Sequence, residues 1–275
     1  MKPRLAVVIV NFNARAWLEQ CLRSVCNQEI VEELEIVVVD SASTDDSVEM
    51  VRHEFPCCKL IAAAENLGFG RGNNLGAAQS SAPILLFLNP DTEVESGALA
   101  ELLAFMEQNP QYGAAGGQIY DADGQIERSA GTWPTLSSLA LDRVLERWPG
   151  LRSRLEKRAH HHWDYRQERE VGWVTGAYLW IRREVFDRLG GFDRDFFMYY
   201  EDVDLCYRIW ADGSRICFFP GASIIHYRNK APVQDRRRKS MMRFAMRQFM
   251  LKHYTGAGRG ATRLTTQLLY RFGLF

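Results

Sequence analysis

Long apolar runs alternate with amphipathic stretches over the first 120 residues of the chain. The runs are rich in β-branched residues and contain few polar positions, which is typical of strands buried on both faces of a parallel sheet. The predicted strands are Leu5–Val10, Leu34–Asp40, Lys59–Ala64, Pro83–Leu88 and Tyr112–Tyr120.

Apolar residues at helical spacing separate these strands. The helices are predicted to end near Phe55, Ala78 and Gln108, and the polar segment 41–46 offers N-cap chemistry for the first of these three. Strands alternating with helices predict an α/β fold with a mostly parallel, doubly wound sheet. Ligands of such sheets bind at the carboxyl ends of the strands. The apolar face of the helix before Leu34 carries Trp17, Leu18, Cys21, Leu22 and Val25.

The second half of the chain is less regular. The segment Val171–Ile181 predicts a strand broken at Gly176, and a helix is predicted over Val203–Ala211. Two short strands are expected near 215–219 and 223–227. We divide the chain into a domain over 1–230, with halves at 1–120 and 121–230, and a C-terminal extension over 231–275 with helical patterning.

Composition excludes several classes of protein. The 275 residues are 47% hydrophobic and 25% charged, which is ordinary for a folded protein and rules out disordered, collagenous and disulfide-scaffold chains. The six cysteines form no CxxC pair, which favours a reducing compartment. Because no run approaches the roughly 20 apolar residues that cross a bilayer, we expect a cytoplasmic protein, at most peripheral on the inner membrane face.

The net charge of zero hides an asymmetry. From Arg228 to Phe275 there are twelve Lys/Arg and one acid, a charge of +11, so the preceding residues carry −11. In the tail, Met242, Ala245, Met246 and Phe249 recur at helical spacing between basic residues. An amphipathic basic helix is typical of binding to an anionic membrane surface, although its apolar face could equally pack on the domain.

Polar side chains end two of the buried strands. A carboxylate at Asp40 closes an apolar strand, where it either opens into a ligand cleft or caps the next helix. Asn89 and Asp91 flank a proline after Pro83–Leu88, and their oxygens suit Mg²⁺ or Mn²⁺ beside a phosphate, although Asn-Pro-Asp is also an ordinary turn. The glycine-rich stretch after Asn66, which includes Gly70 and precedes a helix, predicts either a phosphate cradle or a plain tight turn.

Adjacent acids follow an aromatic run in the second half. Acids favour the first turn of a helix, which explains at least one of Glu201, Asp202 and Asp204. A carboxylate in an apolar mouth beside a second one has a raised proton affinity and suits a general base. His226, after two isoleucines, is either a structural histidine or a third metal ligand.

Taken together, these segments resemble glycosyltransferase family 2, the inverting transferases with the GT-A nucleotide-diphospho-sugar fold, over roughly residues 4–230. Within that family they resemble the rhamnosyltransferase-like bacterial members. Each segment is a weak signal, but seven in this order are a strong one. The segments are Val7–Asn13, Val39–Asp45, Glu65–Gly70, Leu88–Thr92, Thr175–Ala177, Gly190–Asp193 and Phe197–Asp204.

The resemblance implies that 1–120 is the nucleotide-binding half and 121–230 the acceptor and catalytic half of the domain. It also implies a role for individual positions. Asp202 corresponds to the catalytic base and Glu201 to its acidic neighbour, while Asp91 and His226 would hold the metal, with Asn89 in place of the first acid of the family's DxD motif. The positions that would bind the nucleotide sugar are Asn11, Asn13, Asp40, Asn66, Gly70, Asn73, Asn89 and Asp91.

The implied activity is inverting transfer of a sugar, with dTDP-L-rhamnose as the expected donor and Mg²⁺ or Mn²⁺ as the cofactor. The acceptor would be a hydroxyl of a glycan or lipid-linked glycan in bacterial cell-surface polysaccharide synthesis. A catalytically inactive nucleotide-sugar-binding protein is the alternative. Nucleic acid is not an expected partner, because the tail has few interleaved aromatic residues and the body is acidic. An NAD-dependent oxidoreductase would carry GxGxxG where this chain has Asn-Phe-Asn.

Overall fold

A computed structural model describes residues 2–133, 163–228 and 234–253, with side chains from 238 onward in the last segment. The predicted regions outside these ranges, including 254–275 of the C-terminal extension, lie outside the described residues.

The described residues form eleven strands. The strands are β1 (Leu5–Asn11), β2 (Leu34–Asp40), β3 (Lys59–Ala62), β4 (Ile84–Leu88), β5 (Thr92–Val94), β6 (Tyr112–Tyr120), β7 (Ala130–Gly131), β8 (Arg169–Glu170), β9 (Trp173–Val174), β10 (Tyr178–Arg182) and β11 (Arg215–His226). The helices are α1 (Arg15–Cys26), α2 (Ser47–Glu54), α3 (Gly68–Ala78), α4 (Ala98–Gln108), α5 (Arg183–Arg188), α6 (Glu201–Ala211) and α7 (Gln234–His253), with a 3₁₀ turn at Val31–Glu33.

Nine of these strands form one sheet in the described ranges. Its order is β3-β2-β1-β4-β10-β6-β11-β5, with β8 paired to β11. The first four strands of this order are parallel, as their apolar runs predict, and β10 lies antiparallel between β4 and β6. The expected α/β GT-A architecture is therefore present, and its sheet is mixed. Apolar clusters cover both faces, one under α1, α2 and α4 and the other under α3, α5 and α6.

Two local predictions are wrong. The two short strands expected near 215–219 and 223–227 are one strand, β11, whose register against β6 shifts between Phe219 and Ser223. The helix expected to begin at Val203 begins at Glu201.

The segment 41–46 contributes to the start of α2 through Asp45. Its carboxylate accepts from the Ser47 amide at 3.3 Å. The N-cap residue itself, Asp46, has a φ of 59° and makes no capping side-chain hydrogen bond.

Helix α7 packs on the domain. Ala245, Phe249 and Met250 are buried against Phe196 and Val203. Three of the four residues of the predicted apolar stripe are covered at least in part by this contact, and Met242 remains 40% exposed. The alternative in which the apolar face packs on protein is therefore the one observed for this helix.

Ion pairs secure the end of α7 to α6. The side chain of Asp204 is fully buried, and its carboxylate lies 2.7 Å from Lys252 Nζ, 2.6 Å from His253 Nε2 and 2.8 Å from Arg208 Nε. Burial opposes ionisation of Asp204, but hydrogen bonds from His253, Lys252 and Arg208 outweigh it and lower its pKa to about 2. The described part of the extension is thus joined to the helix that carries Glu201 and Asp202.

Candidate active site

The carboxyl ends of β1, β2 and β4 meet at one edge of the sheet. Strand β1 lies between the other two and runs parallel to both, with Asn11 opposite Asp40 and Ile9 opposite Leu88. Because neighbouring strands are about 4.8 Å apart, the ends of β2 and β4 are roughly 10 Å apart. The polar residues predicted after each strand therefore share this edge.

Asn11 and Asp40 form a buried pair at the β2 end of the edge. Asn11 Nδ2 donates to Asp40 Oδ2 at 2.9 Å, and the Ser43 amide donates to Asp40 Oδ1 at 2.9 Å. Asp40 thus orders the loop after its own strand, and it does not cap α2, which begins at Ser47. Asn11 Oδ1 is buried and has no hydrogen-bond partner within the described ranges. It is an acceptor that a ligand could use.

Asn13 shapes the neighbouring loop. Its φ is 50°, a left-handed conformation that asparagine tolerates better than most residues. Its Oδ1 accepts from the Thr44 amide at 2.8 Å, and its own amide donates to Ser43 Oγ at 2.9 Å. These bonds join the loops after β1 and β2, so the exposed Asn13 side chain lies beside the Asn11–Asp40 pair.

The glycine-rich stretch was expected to precede a helix, but its glycines lie inside α3. A Cβ at Gly72 would lie 2.8 Å from Val10 Cγ1, and a Cβ at Gly76 would lie 2.4 Å from Val8 Cγ1. The glycines at 72 and 76 therefore let α3 approach β1 closely. At Gly70 the neighbour is Phe192, whose Cβ would lie 3.1 Å from an added Cβ.

The two asparagines of this stretch that were predicted to bind the nucleotide sugar, Asn66 and Asn73, differ in their contacts. Asn66 Oδ1 accepts from the Gly68 amide at 2.9 Å and so starts α3. Asn73 is 1% exposed, and its Nδ2 donates to the carbonyl of Phe69 at 3.0 Å. Close packing against Phe192 accounts for a glycine at position 70, and the bond to the Phe69 carbonyl fixes the side chain of Asn73. Neither contact involves a ligand, so binding of the nucleotide sugar by Gly70 and Asn73 remains a prediction.

Asp91 and His226 are brought together where β5 pairs with the end of β11. His226 lies opposite Thr92 in the antiparallel register, and its Nε2 is 3.2 Å from Asp91 Oδ1. The Tyr227 amide donates to the carbonyl of Asp91 at 2.9 Å, which joins the two chain segments again. Asn89 Nδ2 lies 3.4 Å from His226 Nε2. The three residues predicted from separate segments are therefore neighbours.

Glu127 is a site residue that sequence reasoning missed. Its Oε2 lies 3.3 Å from His226 Nδ1. Burial disfavours the imidazolium, but hydrogen bonds to Asp91 and Glu127 outweigh it and raise the pKa of His226. Burial likewise opposes the Glu127 carboxylate, while hydrogen bonds from His226 and Arg228 lower its pKa. The Asp-Gly pair at 123–124 could have indicated its position. Asp-Gly is typical of a hairpin turn, and such a turn would bring the following residues, including Glu127, back beside the end of β6.

The donor set fits a divalent cation that shares its coordination with a substrate. Asp91 offers a carboxylate oxygen, His226 an imidazole nitrogen and Asn89 an amide oxygen. No three His, Cys, Asp or Glu side chains within the described ranges are arranged to hold a metal by themselves. Mg²⁺ is commonly held by one or two carboxylates plus substrate phosphates, and Mn²⁺ accepts both oxygen and imidazole ligands.

Asp202 lies in the first turn of α6. Before it, Tyr199 and Tyr200 have φ values of 71° and 65°, a conformation that is rare for aromatic residues. Asp202 Oδ2 accepts from the Gly176 amide and Oδ1 from the Val203 amide, both at 2.8 Å. Burial raises the pKa of Asp202, and these two hydrogen bonds oppose that rise.

Glu201 is more deeply enclosed than its neighbour. Glu201 is 5% exposed, and its Oε2 has no hydrogen-bond partner within the described ranges. Burial, with a smaller contribution from Asp202, raises the pKa of Glu201 well above its usual value. Burial therefore favours the protonated, neutral form of this carboxyl over the carboxylate.

The segment 175–177 links the acidic pair to the Asp91 group. The Gly176 amide binds Asp202, and the carbonyl of the next residue, Ala177, accepts from the Asn89 amide at 3.1 Å. The structure thus makes Asn89, Asp91 and His226 neighbours and joins the segment of Asn89 to Asp202 through residues 176–177. Asn11, Asn13 and Asp40 form a second group along the same edge.

The fold and this edge define a class of protein, the GT-A nucleotide-sugar transferases. The chain matches the description "Glycosyl transferase family 2" over residues 6–190 and belongs to that family. It is thus a glycosyltransferase.

Curated relatives are similar over most of the chain. It is 30% identical over 255 residues to the N-acetylglucosaminyl-diphospho-decaprenol L-rhamnosyltransferase of Mycobacterium tuberculosis, covering 86% of this chain and 80% of the relative. It is 28% identical over 170 residues to the rhamnosyltransferase WbbL of Escherichia coli K12, covering 58% of this chain and 61% of WbbL. The chain is therefore rhamnosyltransferase-like.

Solved structures agree with the fold. The Pyrobaculum calidifontis mannosyltransferase PcManGT, in complex with GDP-Man and Mn²⁺, superposes with a TM-score of 0.61 at 20% identity, over 94% of this chain and 65% of that one. TarS of S. aureus superposes with a TM-score of 0.63 at 15% identity, over 96% of this chain and 42% of TarS. This chain spans less than two thirds of either protein.

Proposed function

We propose that this protein is an inverting glycosyltransferase that moves a sugar, L-rhamnose in the first instance, from its dTDP diphosphate to a hydroxyl of a glycan or lipid-linked glycan during bacterial cell-surface polysaccharide synthesis. The observation that carries the proposal is the link from Asn89 through Ala177 and Gly176 to Asp202. This link joins a carboxylate of raised pKa to the strand-end segment whose Asn89 side chain lies 3.4 Å from His226, and it supports a shared site for Asp202 and the Asp91–His226 pair. The similarity to two rhamnosyltransferases supports the choice of donor.

The nucleoside would bind along the β1–β2 end of the edge. Asp40 and Asn11 would contact the ribose or base through the free acceptor on Asn11 and the lone pairs left on Asp40, with Asn13 at the mouth. The diphosphate would then reach toward Asn89 and Asp91, which lie roughly 10 Å away across β1. Asn66, Gly70 and Asn73 would line the far side of the same pocket.

Asp91 and His226 would hold Mg²⁺ or Mn²⁺, with Asn89 beside it. When bound, the cation would neutralise negative charge on the departing diphosphate. The structures of PcManGT with GDP-Man and Mn²⁺, and of GalNAc-T7 with UDP, GalNAc and Mn²⁺, support this role. In this chain Asp91 would be the single carboxylate ligand.

Asp202 would act as the general base. An acceptor hydroxyl gives its proton to the Asp202 carboxylate as the oxygen bonds to the anomeric carbon. The bond from that carbon to the diphosphate oxygen breaks at the same time, on the opposite face, so the configuration inverts. The raised pKa of Asp202 supports this role, because a base works best when its pKa approaches the operating pH.

The variant Asp202→Asn tests the assignment. We expect transfer to fall by about 10²- to 10⁴-fold, the usual loss for one general base, with nucleotide binding retained in calorimetry. Asp195→Asn is the matched control, because it removes the same charge from an exposed position nearby. Wild-type turnover by Asp202→Asn would remove the base assignment. Nucleotide binding by the wild type with no transfer to any acceptor would favour the inactive binding protein.

The donor is tested by thermal shift. Ligands that bind the native state raise its melting temperature. We expect dTDP with Mn²⁺ to stabilise the chain more than UDP or GDP with Mn²⁺, and more than dTDP alone. A larger shift with UDP or GDP would reassign the nucleotide.

We also propose peripheral attachment to an anionic membrane face through the outer side of α7. Phe244 is 59% exposed on that side, and Met242, which belongs to the packed stripe, remains 40% exposed. Lys239 and Arg243 are exposed as well. No helix within the described ranges combines the length and the hydropathy of a membrane span. Co-sedimentation with anionic vesicles at low salt tests this attachment, and no binding would exclude it.

A further inference from the structure

A short hairpin returns Glu127 to the catalytic edge. After β6 the chain turns at Asp121, whose Oδ1 accepts from the amides of Asp123 and Gln125 at 3.0 and 2.8 Å. The Glu127 amide then donates to the carbonyl of Ile119 at 2.9 Å. Because β11 runs parallel to β6, this bond sets Glu127 beside the end of β11, where His226 lies.

Each ring nitrogen of His226 faces a different carboxylate. Nδ1 is 3.3 Å from Glu127 Oε2, and Nε2 is 3.2 Å from Asp91 Oδ1. The two nitrogens point to different sides of the ring, so a cation bound at Nε2 beside Asp91 lies on the side away from Glu127. This geometry gives Glu127 contact with the ring rather than with the cation.

Arg228 holds the Glu127 carboxylate in place. Its Nη2 donates to Oε2 at 2.9 Å, and its Nε lies 2.7 Å from Oε1. The Glu127 side chain is 10% exposed. A carboxylate contacted on both oxygens and shielded from water has a fixed direction, which is what the orientation of a neighbouring ring requires.

We infer that Glu127 is a positioning residue: its carboxylate accepts the Nδ1–H of His226, fixes the ring and its tautomer, and directs the Nε2 lone pair to the cation beside Asp91. The inference rests on the proposed function, because it needs the cation. Histidine ligands commonly donate their second N–H to such a carboxylate. The inferred role predicts an effect on metal affinity before any effect on chemistry.

The test measures Mn²⁺ binding to the full chain with dTDP present, from the electron paramagnetic resonance signal of free Mn²⁺. For Glu127→Ala we expect a dissociation constant about 10- to 100-fold higher, the range seen when such carboxylates are removed. Glu127→Gln retains an oxygen that can accept from Nδ1–H, so we expect it to recover part of that loss. Asp123→Asn removes the same charge from the exposed turn of the same hairpin and should bind as the wild type does.

The outcomes separate the two proposals. Unchanged Mn²⁺ affinity in Glu127→Ala, with wild-type binding intact, overturns the inference alone. No Mn²⁺ binding by the wild type overturns the metal role and the inference with it. A loss of near-ultraviolet circular dichroism in Glu127→Ala would mean that this variant is misfolded. In that case ¹⁵N NMR of the wild type tests the inference, because it shows which ring nitrogen of His226 carries the proton. The His226 resonances are assigned as those absent from the spectrum of His226→Gln. At a pH above the observed titration of His226, where the ring is neutral, a proton on Nδ1 supports the inference and a proton on Nε2 overturns it.

Discussion

The main-chain amide of Gly176 donates a hydrogen bond to Asp202 Oδ2 across 2.8 Å. Gly176 lies in the break between β9 and β10, and its neighbour Ala177 binds the Asn89 amide. A single short segment therefore sets the distance between the acid on α6 and the polar residues after β4. Variants of this segment should change catalysis more than stability.

Gly176→Ala should lower kcat by roughly 10- to 100-fold, the effect of a small misplacement of a catalytic group. An added Cβ would lie 2.8 Å from Phe69 Cζ and 3.4 Å from Asp202 Cβ. Because the aromatic ring is the closer obstacle, Phe69→Leu in the same chain should restore part of the activity. Steady-state kinetics of the single and double variants check this, with Phe69→Leu alone as the control. Equal activity of Gly176→Ala and wild type would contradict the positioning role of the segment.

The rate should fall as the pH is lowered through the pKa of Asp202. Burial raises that pKa, and a general base is active only when deprotonated. The acidic limb of kcat/KM should therefore lie above the usual aspartate pKa of about 3.9. A pH–rate profile with a saturating cation concentration measures it. A profile that stays flat down to about pH 4 would show that Asp202 is not the titrating base.

Glu201→Gln should stabilise the chain progressively as the pH rises. The pKa of Glu201 is raised in the folded state, so the native protein holds a proton that the unfolded chain loses above about pH 4.3. Wild-type stability therefore declines between that value and the folded pKa, while glutamine needs no proton. Urea unfolding of both proteins at pH 5 to 8 would show the difference in unfolding free energy widening. A difference that is constant with pH would mean that Glu201 is ionised when folded.

Asp204 should stabilise the contact of α7 with α6 at neutral pH and lose that effect in acid. Its pKa is lowered to about 2, so its contribution is complete above the unfolded pKa near 3.9 and disappears as the pH falls through 2. The shift corresponds to roughly 2 to 3 kcal/mol. Denaturant unfolding of the wild type and Asp204→Asn should differ by about this much at pH 7 and less at pH 3. Asp212→Asn, at a partly exposed ion pair with Arg188, is the control and should show a smaller difference.

Much of the scaffold follows from local sequence. Strands β2 and β6 have the bounds predicted from their apolar patterns, and β1 extends the prediction by one residue. A run buried on both faces leaves little choice of conformation or direction in an α/β chain. For the same reason the sequence located Asp40, Asn89 and Asp91 at strand ends, on one edge of the sheet.

The glycines of α3 show where local reasoning fails. Glycine before a helix and glycine within a helix that packs closely have the same local pattern. Only the close contact of Gly72 with Val10 and of Gly76 with Val8 in the folded chain shows that these glycines lie within a closely packed helix. The tail is a similar case, because an amphipathic helix has the same pattern whether its apolar face meets lipid or the aromatic cluster around Phe249.

The sequence by itself determined the parallel strands, the class of fold and the residue types at the catalytic edge, because burial and strand direction act over a few neighbouring residues. Tertiary structure alone decided the antiparallel insertion of β10, the return of Glu127 to His226 and the contact of Gly176 with Asp202. These pairings join residues 26 and 99 positions apart. No local propensity specifies such contacts, since their free energy depends on which distant elements pack together.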